Sequence, residues 1–354
     1  MRFFSVRRLL SDGFDRFAGA GLFIPSGAAS VVPPREVVVF SHGELPTTDI
    51  YLKAALADRF GSRVRYIDVR GKKPGGLAAA DETLAIIVRY LPLPWLRFLM
   101  RRKPARVALL MDDDMPAALR ATELPFAYAL KTAWRYASTR SLMRRLCDEI
   151  WLSTPELMVR YPDASPRLIE PAYVPGKHEH VAGEGKVYFY HGTWAHRREI
   201  AWLVPVVAAI QARFSDAWFE VVGDGRVRRM FDGIPRVRVV APMSWPDYLA
   251  YSDTVRYQVG LAPSLDSPFN RARAHVKFFD ITRLGAVGVY SNAPPYAGKV
   301  VDREQGLLCE NTVDAWVAAI AELLDAPALR ERLFAHALAS CKQARGGLPA
   351  AYRG

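Results

Sequence analysis

Cysteine is scarce in this 354-residue chain: Cys147, Cys309 and Cys341 are odd in number, far apart, and linked by no metal-type spacing. No disulfide framework or structural zinc site is expected, and a reducing compartment suits the chain. Long apolar runs are also missing. No stretch approaches the roughly 18 uninterrupted apolar residues that a membrane-crossing helix needs. Acidic residues are in deficit, 36 Asp and Glu against 48 Lys and Arg, which leaves a net charge of +12. Most of that excess lies before Val174, and it points to anionic partners. Zinc-finger spacing, helix-turn-helix pattern and aromatic RNA-binding motif are all absent, so nucleic acid is not expected as a partner. Residues 1–35 form a basic lead-in. Asp12 and Asp15 interrupt it, and no apolar core or small-residue cleavage site follows.

What remains is an ordinary globular composition, 51% hydrophobic and 24% charged, long enough for two domains. From Glu36 onward strands and helices alternate. Val37-Val38-Val39-Phe40 is a strand that ends at Ser41-His42-Gly43. A helix over 49–60 and a strand over 64–67 follow. Arg106-Val107-Ala108-Leu109-Leu110-Met111 is a strand ending in Asp112, Asp113 and Asp114, with a helix over 124–147 behind it. Further strands are expected at 149–153 and 167–170. Pro171-Ala172-Tyr173-Val174-Pro175-Gly176 then reads as a linker. The rhythm restarts with strands at 187–190, 218–222, 237–240, 257–262 and 287–290, and a helix over 199–214. This periodicity predicts two α/β domains, 36–174 and 175–354, each with a parallel sheet. Such sheets bind ligands beyond the carboxyl ends of their strands, so the loops there should line a cleft.

Two constellations carry chemistry. The first is His191-Gly192-Thr193-Trp194-Ala195-His196-Arg197-Arg198-Glu199. Glycine permits close backbone approach, Thr193 offers a hydroxyl, and the following helix offers free N–H groups with Arg197 and Arg198 beside them. That is a seat for a diphosphate, or else a turn with a solvated basic helix start. The second is Lys277-Phe278-Phe279-Asp280-Ile281-Thr282-Arg283-Leu284-Gly285, where a cation and a carboxylate three apart share a helical face. It suits a ligand with both phosphate and ribose hydroxyls, or it is a plain helical ion pair.

The segment from Pro263-Ser264 through Lys277, Asp280, Gly285 and Ser291, with Gly306-Leu307-Leu308-Cys309-Glu310-Asn311 downstream, resembles the donor-site signature of GT-B glycosyltransferases. The likeness is clear over 191–339 and loose before that. It implies two Rossmann-like domains facing across a cleft, with a nucleotide sugar held by the C-terminal one. Asp280 stands where related chains place an acid against the ribose. Eight residues earlier, where a second acid is usual, this chain has Ala272. The resemblance also implies that the base lies near Pro242 and Met243, and that Gly223 lies near the cleft. Arg197, Lys277 and a helix N-terminus would neutralise the leaving diphosphate, so no metal or other cofactor is expected.

In the first domain His42 offers a base or an acceptor contact beside Gly43. Asp112, Asp113 and Asp114 are expected on the acceptor side, and the alternative for them is chelation of a divalent cation. The 89–103 stretch mixes aromatics with Arg97, Arg101, Arg102 and Lys103, which suits contact with an anionic membrane face. The expected activity is hexosyl transfer from a nucleotide sugar to a glycan or lipid-linked acceptor in cell-surface polysaccharide synthesis. It is placed in the cytoplasm, peripheral at the inner membrane face. The alternatives are an inactive GT-B-like binding protein and a metal-dependent transferase.

Overall fold

The computed structural model describes residues 13, 21–25, 34–77, 80–177 and 185–352. Most of the basic lead-in therefore lies outside the described residues. Leu22 and Phe23 are buried against the first domain, and the Tyr136 hydroxyl donates to the Gly21 carbonyl at 3.0 Å. That short piece is core material.

The first domain holds six strands: β1 (Glu36–Ser41), β2 (Val64–Asp68), β3 (Thr83–Val88), β4 (Arg106–Met111), β5 (Glu149–Leu152) and β6 (Arg167–Leu168). They lie in the order β2-β1-β3-β4-β5-β6, and every neighbouring pair is parallel. The sequence reading passes over β3, the strand between β1 and β4. Its six residues are all buried, and such a continuous apolar run does not by itself distinguish a buried strand from a buried helix segment. Two helices that pack on each other cover part of this sheet, α1 (Leu93–Arg102) and α2 (Phe126–Leu146). Trp95, Leu96 and Leu99 turn α1 inward.

The second domain repeats the plan with β8 (Val187–Tyr190), β9 (Trp218–Val222), β10 (Val237–Val240), β11 (Val259–Ala262), β12 (Val287–Ser291) and β13 (Gly306–Cys309). Their order is β10-β9-β8-β11-β12-β13, again all parallel. Helix α3 (Arg197–Arg213) packs with the helix Val313–Asp325 on one face of this sheet, through Ile200, Leu203, Val207, Trp316 and Ile320. Helices α4 (Trp245–Ser252) and α5 (Val276–Arg283) complete the part that matters for the site. Ser244 caps α4 by accepting from the Asp247 amide, and Pro246 sits in its first turn.

The expected last strand of the first domain divides in two. β6 stays in the sheet, whereas β7 (Glu170–Ala172) leaves it and pairs antiparallel with β14 (Arg345–Gly347) at the far end of the chain. Beyond β14, Tyr352 packs edge-on against Trp151 at 5.3 Å, and its hydroxyl donates to Glu149 at 2.9 Å. The chain thus crosses between the domains a second time, beside the linker at 171–176. All three cysteines are buried, and none is in a disulfide. No helix among the described residues is long and apolar enough to cross a membrane.

Candidate functional site

Strand order reverses direction between β1 and β3 in the first sheet and between β8 and β11 in the second. Crevices open at such switch points, beyond the carboxyl ends of the strands. Here the two crevices face each other and form a cleft of about 670 Å³. His42 follows β1, Arg89 follows β3, His191 and Gly192 follow β8, and Pro263 and Ser264 follow β11; all line it. The topology alone brings the sequence's turn residues to one place.

On the second-domain side the cleft is cationic. Lys277, in the first turn of α5, donates to the His191 carbonyl at 2.5 Å and lies 4.8 Å from the centre of the Tyr190 ring. Burial lowers its pKa to about 8, and the Arg273 charge adds to that. Burial also works against the Arg273 charge, but Asp113 and Glu199 outweigh it and raise its pKa. Burial, with Arg273 and Lys277 nearby, drives His196 well below its usual range, so its neutral Nδ1 can accept from Arg273 at 3.2 Å. Gly192 is required here, because a Cβ at that position would lie 2.7 Å from the Tyr190 ring. A half-buried lysine and arginine at the rim of a cleft can hold a polyanion.

A little further along, the Asp280 carboxylate accepts from the Tyr248 hydroxyl at 2.8 Å and from Arg283 at 3.3 Å. Lys277 and Asp280 both line the cleft, and they take different partners rather than pairing with each other. Tyr248 stacks on Trp245 with the rings 25° apart, and the Arg283 guanidinium lies over both. Pro242 and Met243 lie in the same wall. This flat aromatic surface beside a carboxylate can take a planar ring and the hydroxyls attached to it.

Across the cleft, His42 stacks on Tyr90 at 4.2 Å and its Nε2 has no hydrogen-bond partner. Burial lowers its pKa, against a raising contribution from its bond with the Tyr90 backbone. The three aspartates separate. Asp112 takes a two-pronged bond from Arg89, at 2.6 Å on each oxygen, and a third from Thr47 at 2.7 Å. Burial would raise its pKa, but Arg89 outweighs that and holds it below the usual carboxylate range. Asp113 faces Arg273 at 3.6 Å. Asp114 is buried, held by Arg160 at 2.9 Å and by the Tyr161 hydroxyl, and does not line the cleft. Each carboxylate has its own cation, so the run does not form a chelating pair. Among the described residues no cluster of three or more His, Cys, Asp or Glu side chains is placed to hold a metal ion.

Several expected residues fall elsewhere. Arg197 does not line the cleft; it donates to the backbone carbonyls of Thr122 and Glu123 in the other domain. Arg198 is exposed, outside the cleft. On this side the cations that line the cleft include Lys277 and Arg273 instead. Gly43 and Gly223 lie next to lining residues rather than among them. A Cβ on Gly223 would meet Val227 at 2.4 Å, so that glycine serves helix packing. Sequence reasoning assigns no role to Arg89, Glu199, Trp245, Tyr248, Asn270 or Tyr296, all of which line the cleft. Ser244-Trp245-Pro246-Asp247-Tyr248 carried a usable signal, a capped helix start directly after the expected Pro242–Met243 loop. The others become neighbours only through folding.

No protein-family profile and no curated protein matches the sequence. Solved structures do. A TarM variant from S. aureus, in complex with fondaparinux, alpha-GlcNAc-glycerol and UDP, superposes with a TM-score of 0.51 at 11% identity, over 75% of this chain and 52% of that one. Sucrose-phosphate synthase from Thermosynechococcus elongatus gives 0.50 at 16% identity, over 74% and 69%. The pneumococcal O-GlcNAc transferase GtfA, in complex with UDP and GlcNAc, gives 0.50 at 14%, over 74% and 54%. The chain spans about half the length of the TarM and GtfA chains it resembles. These likenesses, with the two facing parallel sheets, establish the GT-B fold.

Proposed function

We propose that this GT-B chain transfers a sugar from a nucleoside-diphosphate donor to a hydroxyl acceptor. The observation that carries the reading is the pair of half-buried cations, Lys277 and Arg273, in the switch-point cleft that His42 of the opposite domain also lines. A diphosphate seated on Lys277 and Arg273 becomes a better leaving group, because the charge that develops on it is already met. The Trp245–Tyr248 surface takes the base, and Asp280 takes the ribose hydroxyls. The acceptor oxygen forms a bond to the anomeric carbon as the bond from that carbon to the diphosphate breaks. The electron pair of the broken bond leaves with the nucleoside diphosphate, and the acceptor proton passes to His42. A histidine with a lowered pKa is neutral near pH 7 and able to accept it. The same cations neutralise the leaving group without a divalent ion, so activity is expected to survive EDTA.

The finer reading is hexosyl transfer to a glycan or lipid-linked acceptor in cell-surface polysaccharide synthesis, at the cytoplasmic face of the membrane. Its support is the outer face of α1 and α2. Neither helix contains an acidic residue. Arg97, Arg101, Lys131, Arg144 and Arg145 are exposed there, and Trp134 is 58% exposed among them. That mixture suits an anionic bilayer surface. The test is transfer of labelled sugar from a panel of nucleotide sugars, with EDTA present and absent, for wild type and His42→Gln. Turnover that falls by about 10²–10⁴ in the variant supports the assignment of the base. Donor binding with no turnover on any acceptor would instead make the chain a binding protein. Loss on chelation, restored by Mg²⁺, would return Asp112 and Asp113 to consideration.

A further inference from the structure

Beside the two cations, the floor of the cleft holds polar groups that the protein leaves incompletely paired. Asn270 is buried, and its Nδ2 donates to Glu199 Oε1 at 2.9 Å and to the Leu265 carbonyl at 2.9 Å. Two acceptors on one amide nitrogen fix the orientation of the group, because a flipped amide would set oxygen against oxygen. Its Oδ1 is buried with no partner. Glu199 is 3% exposed, in the first turn of α3. Tyr296 is buried too, and its hydroxyl has no hydrogen-bond partner among the described residues. All three line the same cleft as Lys277 and Arg273. Buried polar atoms in native proteins find partners, and an orphan in a cleft points to a ligand that supplies one.

The missing partner is a donor. A carboxylate accepts only, the free side of this amide accepts only, and the phenol can do either. The group that presents several O–H donors next to a diphosphate is the sugar attached to it. Ala272 cannot substitute here, because it is buried in the core of the first domain and projects nothing into the cleft. We propose that Glu199, Asn270 and Tyr296 form the subsite that reads the hydroxyls of the transferred sugar, and that the Glu199 carboxylate selects a neutral sugar over a uronic acid. A ligand carboxylate placed against the Glu199 carboxylate would meet a like charge. This inference rests on the cleft being a nucleotide-sugar site.

The test compares the bare nucleoside diphosphate with the same nucleotide carrying a neutral hexose or a hexuronic acid, by calorimetry on the full chain. Glu199→Gln keeps the shape and the Asn270 contact. It should weaken the neutral nucleotide sugar about tenfold, leave the bare diphosphate within about twofold, and narrow the preference for neutral over acidic sugar. Tyr296→Phe removes a hydroxyl with no hydrogen-bond partner among the described residues. It should fold as wild type and weaken only the sugar-bearing ligands, by about threefold. If Glu199→Gln fails to fold, Tyr296→Phe decides alone. Equal loss for bare and sugar-bearing nucleotides, or unchanged affinities, overturns the subsite and leaves the transferase reading standing. A wild-type protein that binds none of these ligands overturns both.

Discussion

The indole N–H of Trp245, in the second domain, donates to Asp49 Oδ2 of the first domain at 3.0 Å. Trp245 is also the partner on which Tyr248 stacks, so one residue joins the expected base surface to the opposite wall. Trp245→Phe keeps the ring and removes the bond, leaving a buried carboxylate oxygen short of a donor. The expected loss of stability is about 1–3 kcal/mol, read by chemical denaturation. Asp49→Asn should cost less than additively in combination with it, because both act on the same bond. Additive losses would show that the two residues act separately.

Lys277 should make donor binding depend on pH. Its pKa is lowered to about 8 from 10.5, so the free protein begins to lose this charge as pH rises through 8. A bound diphosphate needs the charged form, so affinity should fall as pH rises through that value, with proton uptake on binding. Lys277→Arg, charged throughout, should remove the pH dependence, and Lys277→Ala should weaken binding at every pH. Calorimetry in buffers of different ionisation enthalpy measures the uptake. For the unliganded protein the sign reverses. The unfolded chain holds this proton more tightly, so stability gains from the group as pH climbs from about 8 to 10.5.

Asp280→Asn should act on both binding and stability. The carboxylate already accepts from Tyr248 and Arg283, and a ribose would add donors from the open side. Nucleotide affinity should fall by roughly 1.5–3 kcal/mol, the range for hydrogen bonds to a charged group. The melting temperature should also drop, because the buried Arg283 loses its charged partner. A destabilised variant with normal nucleotide affinity would confine Asp280 to holding Tyr248 and Arg283 in place.

The exposed cations of α1 and α2 should bind vesicles of anionic lipid weakly and in a salt-sensitive way. Reversing Arg97, Arg101 and Lys103 to Glu should abolish cosedimentation at low salt and leave transfer to a water-soluble acceptor unchanged. Binding that survives 0.5 M salt, or survives the reversals, would argue against an electrostatic contact.

The fold was legible because strands and helices in both halves carry their own periodicity and end in turn residues. Val37-Val38-Val39-Phe40 before Ser41-His42-Gly43 is one such unit, and Val187-Tyr188-Phe189-Tyr190 before His191-Gly192 is another. Lys277, Asp280, Gly192, Thr193, Pro242 and Met243 reached the cleft because each follows from local spacing or from the resemblance. Arg197 did not, because a guanidinium beside a glycine turn suits a phosphate as well as it suits the carbonyls of Thr122 and Glu123, and only the packed domains decide between them. Glu199 stayed unread for a related reason. Written as a helix-start acid it resembles many solvated residues; its burial and its bond from Asn270, 71 positions away, exist only in the folded chain.

The return of the chain at β14 and Tyr352 has a consequence for how this molecule can be divided. Cutting at the linker would separate two pieces that look complete in sequence. The N-terminal piece would nonetheless lose the aromatic cover on Trp151 and one of the donors to the buried Glu149. The packing of the first lobe is therefore complete only with the last described residues of the chain in place. The lobes are joined by a pair of neighbouring strands, β7 and β14, rather than by a single cord.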